Sequence, residues 1–99
     1  MPMQPWSLVG QHAAVHFTVQ ADAEPGLLPR LIQPFARRDL LPDSFTAERR
    51  GEGMQVDITL ARMPAEMVHL VEGNLRQVVG VTSVATRQEV TGGVRRQAA

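Results

Sequence analysis

Apolar and polar residues alternate in two stretches of the chain, as they do in half-buried β-strands. In residues 14–21 the apolar side chains of Val15, Phe17 and Val19 fall on one side and polar side chains on the other. The alternation is most regular in residues 54–60. Its apolar positions there are Met54, Val56, Ile58 and Leu60. Each stretch therefore predicts a strand with one face toward a core.

Two further stretches, residues 43–50 and 81–88, are predicted to be the second and fourth strands. Phe45 and Ala47 share one face of the earlier stretch. The glycine-containing segment 49–53 that follows it has the composition of a tight connection between strands.

Helical spacing of apolar residues appears twice. The first run begins near Gly26, and its apolar positions are Leu27, Leu28, Leu31, Ile32, Phe35 and Ala36. Pro34 removes a backbone hydrogen bond there and is expected to kink the helix. The second run opens at Pro64 and Glu66 and stops at Gly80. Its predicted inward positions are Met67, Leu70, Val71, Leu75 and Val78.

The resulting order, β-α-β-β-α-β, predicts an α+β fold, the ferredoxin-like βαββαβ sandwich. Its four-stranded antiparallel sheet has strand order 4-1-3-2, and both helices cover one face. The other face is expected to be polar, with His16, Thr18, Gln20, Thr46, Glu48, Gln55, Asp57 and Thr59. The second strand is an edge in this order, and exposed edges pair with other chains. We therefore expect a homodimer that forms through sheet edges.

The length of 99 residues suits one domain. We place it at residues 12–90, between a flexible N-terminal arm, residues 1–11, and a flexible C-terminal tail, residues 91–99. Only docking of Trp6 would order the arm. No apolar run approaches a signal peptide or a membrane helix, so we expect a cytoplasmic protein without membrane contact.

Charge and composition exclude several functional classes. Ten basic residues balance ten acidic ones, so bulk attraction to a nucleic acid is not expected. RNA-binding domains with this strand order carry aromatic residues on their central strands, whereas residues 53–60 contain none. The chain has no cysteine and no nucleophile, Walker or metal-binding motif. We interpret His12, His16 and His69 as surface residues and expect no catalytic residues, metal or cofactor.

The turn at residues 22–28 is the best candidate for ligand binding. A strand ends there, Gly26 permits close approach, and a helix begins whose N-terminus attracts anions. Asp22 and Glu24 stand beside it and suit an ammonium group. These features fit a zwitterion such as an amino acid. They fit equally well a plain turn in which Glu24 favours the helix N-terminus.

Three segments resemble the ACT domain family, most closely the small regulatory subunit of acetolactate synthase. Residues 17–38 run from a strand through a Glu-Pro-Gly turn into a helix that ends in Arg37 and Arg38. Residues 43–46 resemble the family's second strand, and residues 75–84 its closing helix and strand. The resemblance covers roughly residues 14–89.

The resemblance implies a non-catalytic subunit that regulates acetolactate synthase, an enzyme of branched-chain amino acid biosynthesis, by contact with its large catalytic subunit. The alternative is a free-standing domain that binds an amino-acid effector. In the family, the effector lies between the first turn of one chain and the equivalent region of its neighbour. The implied ligand-binding positions are Asp22, Ala23, Glu24, Gly26, Leu27, Leu28, Leu41 and Pro42. Two of them, Ala23 and Leu41, replace asparagines of the family, which argues against the usual valine feedback.

Overall fold

The computed structural model describes residues 10–91. Its strands are β1 (His12–Asp22), β2 (Ser44–Arg50), β3 (Gly53–Pro64) and β4 (Val81–Thr91), and its α-helices are α1 (Leu27–Ala36) and α2 (Val68–Arg76). Trp6, most of the predicted arm and all but the first residue of the predicted tail lie outside the described residues.

The four strands form one antiparallel sheet in the order β2-β3-β1-β4. This is the predicted order 4-1-3-2 read from the other edge, so the ferredoxin-like architecture is confirmed. β1 is one of the two inner strands and pairs along its length with β3 and β4. None of the helices within the described residues is long and apolar enough to cross a membrane.

One end of the sheet, where β1 begins and β3 and β4 end, extends further than the alternation of apolar and polar residues indicates. β1 begins at His12, which pairs with Pro64 on one side and with Thr91 on the other. The hydrogen-bonded pairing of the strands therefore continues into residues where apolar and polar residues no longer alternate in the sequence. Gln11, placed in the predicted arm, also accepts a hydrogen bond of 2.9 Å from the amide of Ala65.

The core lies between the helices and one face of the sheet. Phe17 on β1 and Phe35 on α1 are both fully buried and meet edge to face, with ring centroids 5.8 Å apart. The other fully buried large side chains are Val19, Leu27, Leu31, Pro34, Val56, Ile58, Met63, Val71 and Leu75.

Helix α1 begins after Gly26, as predicted, and continues through Pro34 for two further residues. Pro34 is buried against the core, so its ring adds apolar packing although it donates no backbone hydrogen bond. Ala36 was predicted to face the core and is instead exposed, because it is the last helical residue and lies past the packed stripe.

The predicted inward position of Leu70 is wrong, since 46% of this residue is exposed. A 3-10 turn at Ala65–Met67 precedes α2, which begins only at Val68. The buried stripe of α2 consequently runs through Val68, Val71 and Leu75. These positions follow the three- and four-residue spacing of a helix face, which excludes Leu70.

We expect Phe35→Ala to lower the free energy of unfolding by about 3–5 kcal/mol, because it leaves a cavity beside Phe17. Leu41→Ala is the matched control, since Leu41 is 88% exposed and should change stability by less than about 0.5 kcal/mol. Urea unfolding followed by circular dichroism measures both. Equal losses in the two variants would contradict this assignment of the core.

Candidate functional site

The open face of the sheet carries a continuous network of polar side chains from β1 and β3. His16 Nε2 lies 2.8 Å from Asp57 Oδ1, and the hydroxyl of Thr18 donates to the same oxygen at 3.0 Å. The amide of Gln55 donates to Asp57 Oδ2 at 3.1 Å and accepts from the amide of Gln20, also at 3.1 Å. Both oxygens of the central carboxylate are therefore held by neighbouring side chains.

Strand register brings these residues together. Thr18 pairs with Asp57 and Gln20 with Gln55 across the β1–β3 ladder, so these side chains point to the same face. His16 is one row away and pairs with Thr59, and its ring reaches diagonally to Asp57. The sequence predicts the polar face but not this network, and it indicates only an ordinary surface histidine at position 16.

The network favours the ionised form of Asp57. The hydrogen bond from Gln55 lowers the pKa of this carboxyl most, followed by the hydrogen bond with His16 and, more weakly, that from Thr18. Partial burial acts in the opposite direction and is outweighed. The face therefore carries a fixed negative charge at neutral pH.

The arrangement suits binding better than nucleophilic catalysis. In a catalytic triad the hydroxyl donates to the histidine, which the carboxylate orients from the far side. Here the hydroxyl of Thr18 donates to the carboxylate of Asp57, while the distance from Thr18 Oγ1 to His16 Nε2 is 3.4 Å. Residues 10–91 contain no group of three or more side chains that could hold a metal ion.

A shallow depression lies beside His16 on the same face. Ala14 and Ala61 line it, as do Arg87 and Glu89 of β4. Here β3 has a bulge, because Ala13 pairs with Met63 while Val15 pairs with Leu60. The carboxylate of Asp43 accepts the amide of Ala61 at 2.6 Å and so satisfies a backbone donor of the bulge.

The turn at residues 22–28 uses much of its own hydrogen-bonding capacity. The amide of Asp22 donates to the carbonyl of Gly80, that of Ala23 to Glu52, and that of Leu27 to Glu24. Fewer donors therefore remain for a ligand than an open turn would offer. Leu28 is half-buried against the core at the start of α1.

Glu24 lies at the centre of this turn. Its carboxylate is 3.4 Å from the guanidinium of Arg30, so its charge is partly balanced within the chain. On its other side is Gly80, where a Cβ would stand 3.3 Å from Glu24 Oε2. Gly26 faces Arg30 as well, so a side chain at position 26 would displace that guanidinium.

The remaining implied ligand positions, Leu41 and Pro42, lie at the opposite end of the sheet. They precede Ser44, which pairs with Thr59 and so lies in the same row as His16. Asp22 is six residues further along β1, which corresponds to roughly 20 Å. One chain does not bring Leu41 and Pro42 to the turn.

Replacing Asp57 by asparagine should reduce the dependence of stability on pH below about pH 4. Because the folded-state pKa of Asp57 is lowered, its contribution is present above the unfolded-state pKa and lost as pH falls through the folded-state value. Glu48→Gln, an exposed isosteric change on β2, is the control. The measurement is urea unfolding of the three proteins between about pH 2 and pH 7. If the free energy of unfolding of Asp57→Asn changed with pH as steeply as that of the wild type, the contribution of this carboxylate to stability would be refuted.

Several solved structures share this fold. The ACT domain of GTP pyrophosphokinase from Chlorobium tepidum matches with a TM-score of 0.66 and 10% identity, over 77% of this chain and 99% of that domain. The C-terminal domain of the MgtC protein from Mycobacterium tuberculosis matches with a TM-score of 0.61 and 14% identity, over 81% and 89% of the two chains.

A homoserine dehydrogenase from Thiobacillus denitrificans matches with a TM-score of 0.69 and 13% identity, over 82% of this chain. The match covers 18% of the dehydrogenase, so this chain corresponds to a small part of that enzyme. Identities this low establish the fold alone.

No curated protein sequence matches the chain. The family model described as an ACT-like domain matches residues 9–92, which is most of the chain. ACT domains are regulatory domains of an amino-acid-binding type. The sequence match and the β2-β3-β1-β4 sheet agree, and the chain belongs to the ACT-like domain family.

Proposed function

We propose that this chain is a non-catalytic regulatory subunit that acts by contact with a catalytic subunit, namely the large subunit of acetolactate synthase. The observation that carries the proposal is the polar network on the open sheet face, in which Asp57 is held by His16, Thr18 and Gln55. Side chains fixed before binding lose less conformational entropy when a partner docks. The choice of enzyme rests on the resemblance of residues 17–38 and 75–84 to the small subunits of that synthase.

The open face also has the chemical character of a surface for a polar partner. Among the described residues, every residue that is buried as a whole is apolar. Five polar side chains of β1 and β3 lie on the side away from the helices and are at least partly exposed, namely those of His16, Thr18, Gln20, Gln55 and Asp57. A partner that binds this face would contact hydrogen-bonding groups spaced at the repeat of a strand. The core lies on the other face, under the helices, and would not be disturbed.

Co-purification with the large acetolactate synthase subunit of the same genome tests this proposal. We expect a complex and a gain in synthase activity, and Gln20→Arg should weaken both because it places a bulky charge on the open face. His69→Arg is the matched control, since His69 is exposed on α2, on the other side of the sheet. Absence of a complex, or equal effects of the two variants, would contradict the proposal.

A second candidate is a free-standing domain that binds an amino acid. The observation that favours it is the turn before α1, where the carboxylate of Glu24 and the Gly26 N-cap lie together. Leu41 and Pro42 would have to come from a neighbouring chain, because one chain holds them at the far end of the sheet.

For this candidate we expect one of the twenty amino acids to raise the melting temperature of the isolated chain. Asp22→Ala and Gly26→Val should abolish the shift, because they change a charge and the space at the turn. Asp43→Ala, at the other end of the sheet, is the control and should retain it. Thermal unfolding by differential scanning fluorimetry gives the readout. A flat response to all amino acids would exclude effector binding as its function.

A further inference from the structure

We infer that the chain pairs with a second copy through β4, in an antiparallel register centred on Gln88. Two symmetry-related ion pairs, each between Arg87 of one copy and Glu89 of the other, would hold that register. The inference rests on the homodimer expected above, but it places the interface on β4 and not on the β2 edge from which that homodimer was expected. It is independent of which enzyme the subunit contacts.

Hydrogen bonds made by the backbone of β1 show which of its groups point toward β4. The amide of Asp22 donates to Gly80, and the carbonyl of Gln20 accepts from the hydroxyl of Thr82, both on the β4 side. The amide of Ala23 donates to Glu52, on the β3 side. Because successive residues of a strand point their backbone groups to opposite sides, the even-numbered residues of β1 bond to β4.

The same alternation fixes the outer edge of β4. Ala85, Arg87 and Glu89 stand opposite even-numbered residues of β1 and so bond inward. The backbone groups of the alternate residues must then point away from the sheet. These residues are Val84, Thr86, Gln88 and Val90.

One of these edge groups already has a partner. The guanidinium of Arg76, on α2, donates to the carbonyl of Val84 at 2.8 Å and to the carboxylate of Glu72 at 2.7 Å. This contact agrees with an outward carbonyl at Val84. It blocks the beginning of the edge and leaves the part from Thr86 to Val90 for a second strand.

Charge complementarity selects the register within that part. With Gln88 opposite its own copy, Arg87 lies opposite Glu89 twice, in pairs whose side chains approach closely. If the axis moved by one residue to Arg87, two arginines would face each other. If it moved to Glu89, two glutamates would do so. Like charges directly opposite destabilise both alternatives.

The side chains of this segment are available for the pairing. Arg87 and Glu89 are exposed, and within residues 10–91 neither belongs to an ion pair. Val90 is 46% exposed and would be covered by Thr86 of the second copy. The buried hydroxyl of Thr86 has no hydrogen-bond partner in the described part of the chain, and Gln88 of the second copy would lie beside it.

The other edge is less suited to self-pairing. On β2, Glu48 already forms an ion pair of 2.8 Å with Arg50, and Arg49 donates to the carbonyl of Gly51. Pairing about Ala47 would place Glu48 opposite Thr46, with no opposite charge to meet. Seven residues form β2, against eleven in β4.

Sedimentation equilibrium of the full 99-residue chain tests the inference. Arg87→Glu and Glu89→Arg should each weaken dimerisation on the order of tenfold, because each places like charges opposite one another twice. The double variant Arg87→Glu/Glu89→Arg should restore the wild-type dissociation constant to within about threefold. Glu48→Arg on β2 is the control and should leave dimerisation unchanged. Circular dichroism confirms that each variant is folded.

Three results would overturn the inference: a monomer at all concentrations, a double variant as weak as the single ones, or a dimer sensitive only to Glu48→Arg. The last result would retain the homodimer and transfer it to β2. Formation of the complex with the synthase subunit is measured separately, so failure of the β4 interface and failure of the proposed function are distinguishable.

Discussion

The structure depends on the position of β1 between β3 and β4, with its apolar side chains on one face. A strand has a side-chain period of two, so burial of Phe17 and Val19 under the helices forces Thr18 and Gln20 onto the opposite face. A slip of one residue would place polar groups in the core. The hydrophobic effect on one face thus determines the register of the polar network on the other.

This dependence explains what could be predicted from the sequence. The alternation in β1 and β3 and the helical stripes are local patterns, and they predicted the order of the elements and most of the core. The strand order came from the ferredoxin-like fold that this order of elements indicates. Leu70 was misplaced because the start of α2 depends on a 3-10 turn with no clear sequence signal. The Asp57 network was missed because His16 and Asp57 lie 41 residues apart and meet only through the register.

The candidate ligand positions show the same limit. The turn at residues 22–28 was predicted from local composition and begins a helix as expected. Two backbone amides of the turn donate to the carbonyls of Gly80 and Glu52. These acceptors are distant in sequence, and no local pattern links them to the turn. Pairing through β4 would leave Leu41 and the turn apart. That is in keeping with the absence of the family's asparagines at positions 23 and 41.

The pairing of His12 with Thr91 also affects how the chain folds. Of the four strands of the sheet, β1 is synthesised before the others, while its neighbour β4 is synthesised after them. One side of β1 therefore has no strand partner until β4 has been synthesised. Many of its contacts join residues distant in sequence, which slows folding relative to a helical bundle of equal length. Until β4 is made, the side of β1 that faces it is an open sheet edge, which can pair with another chain.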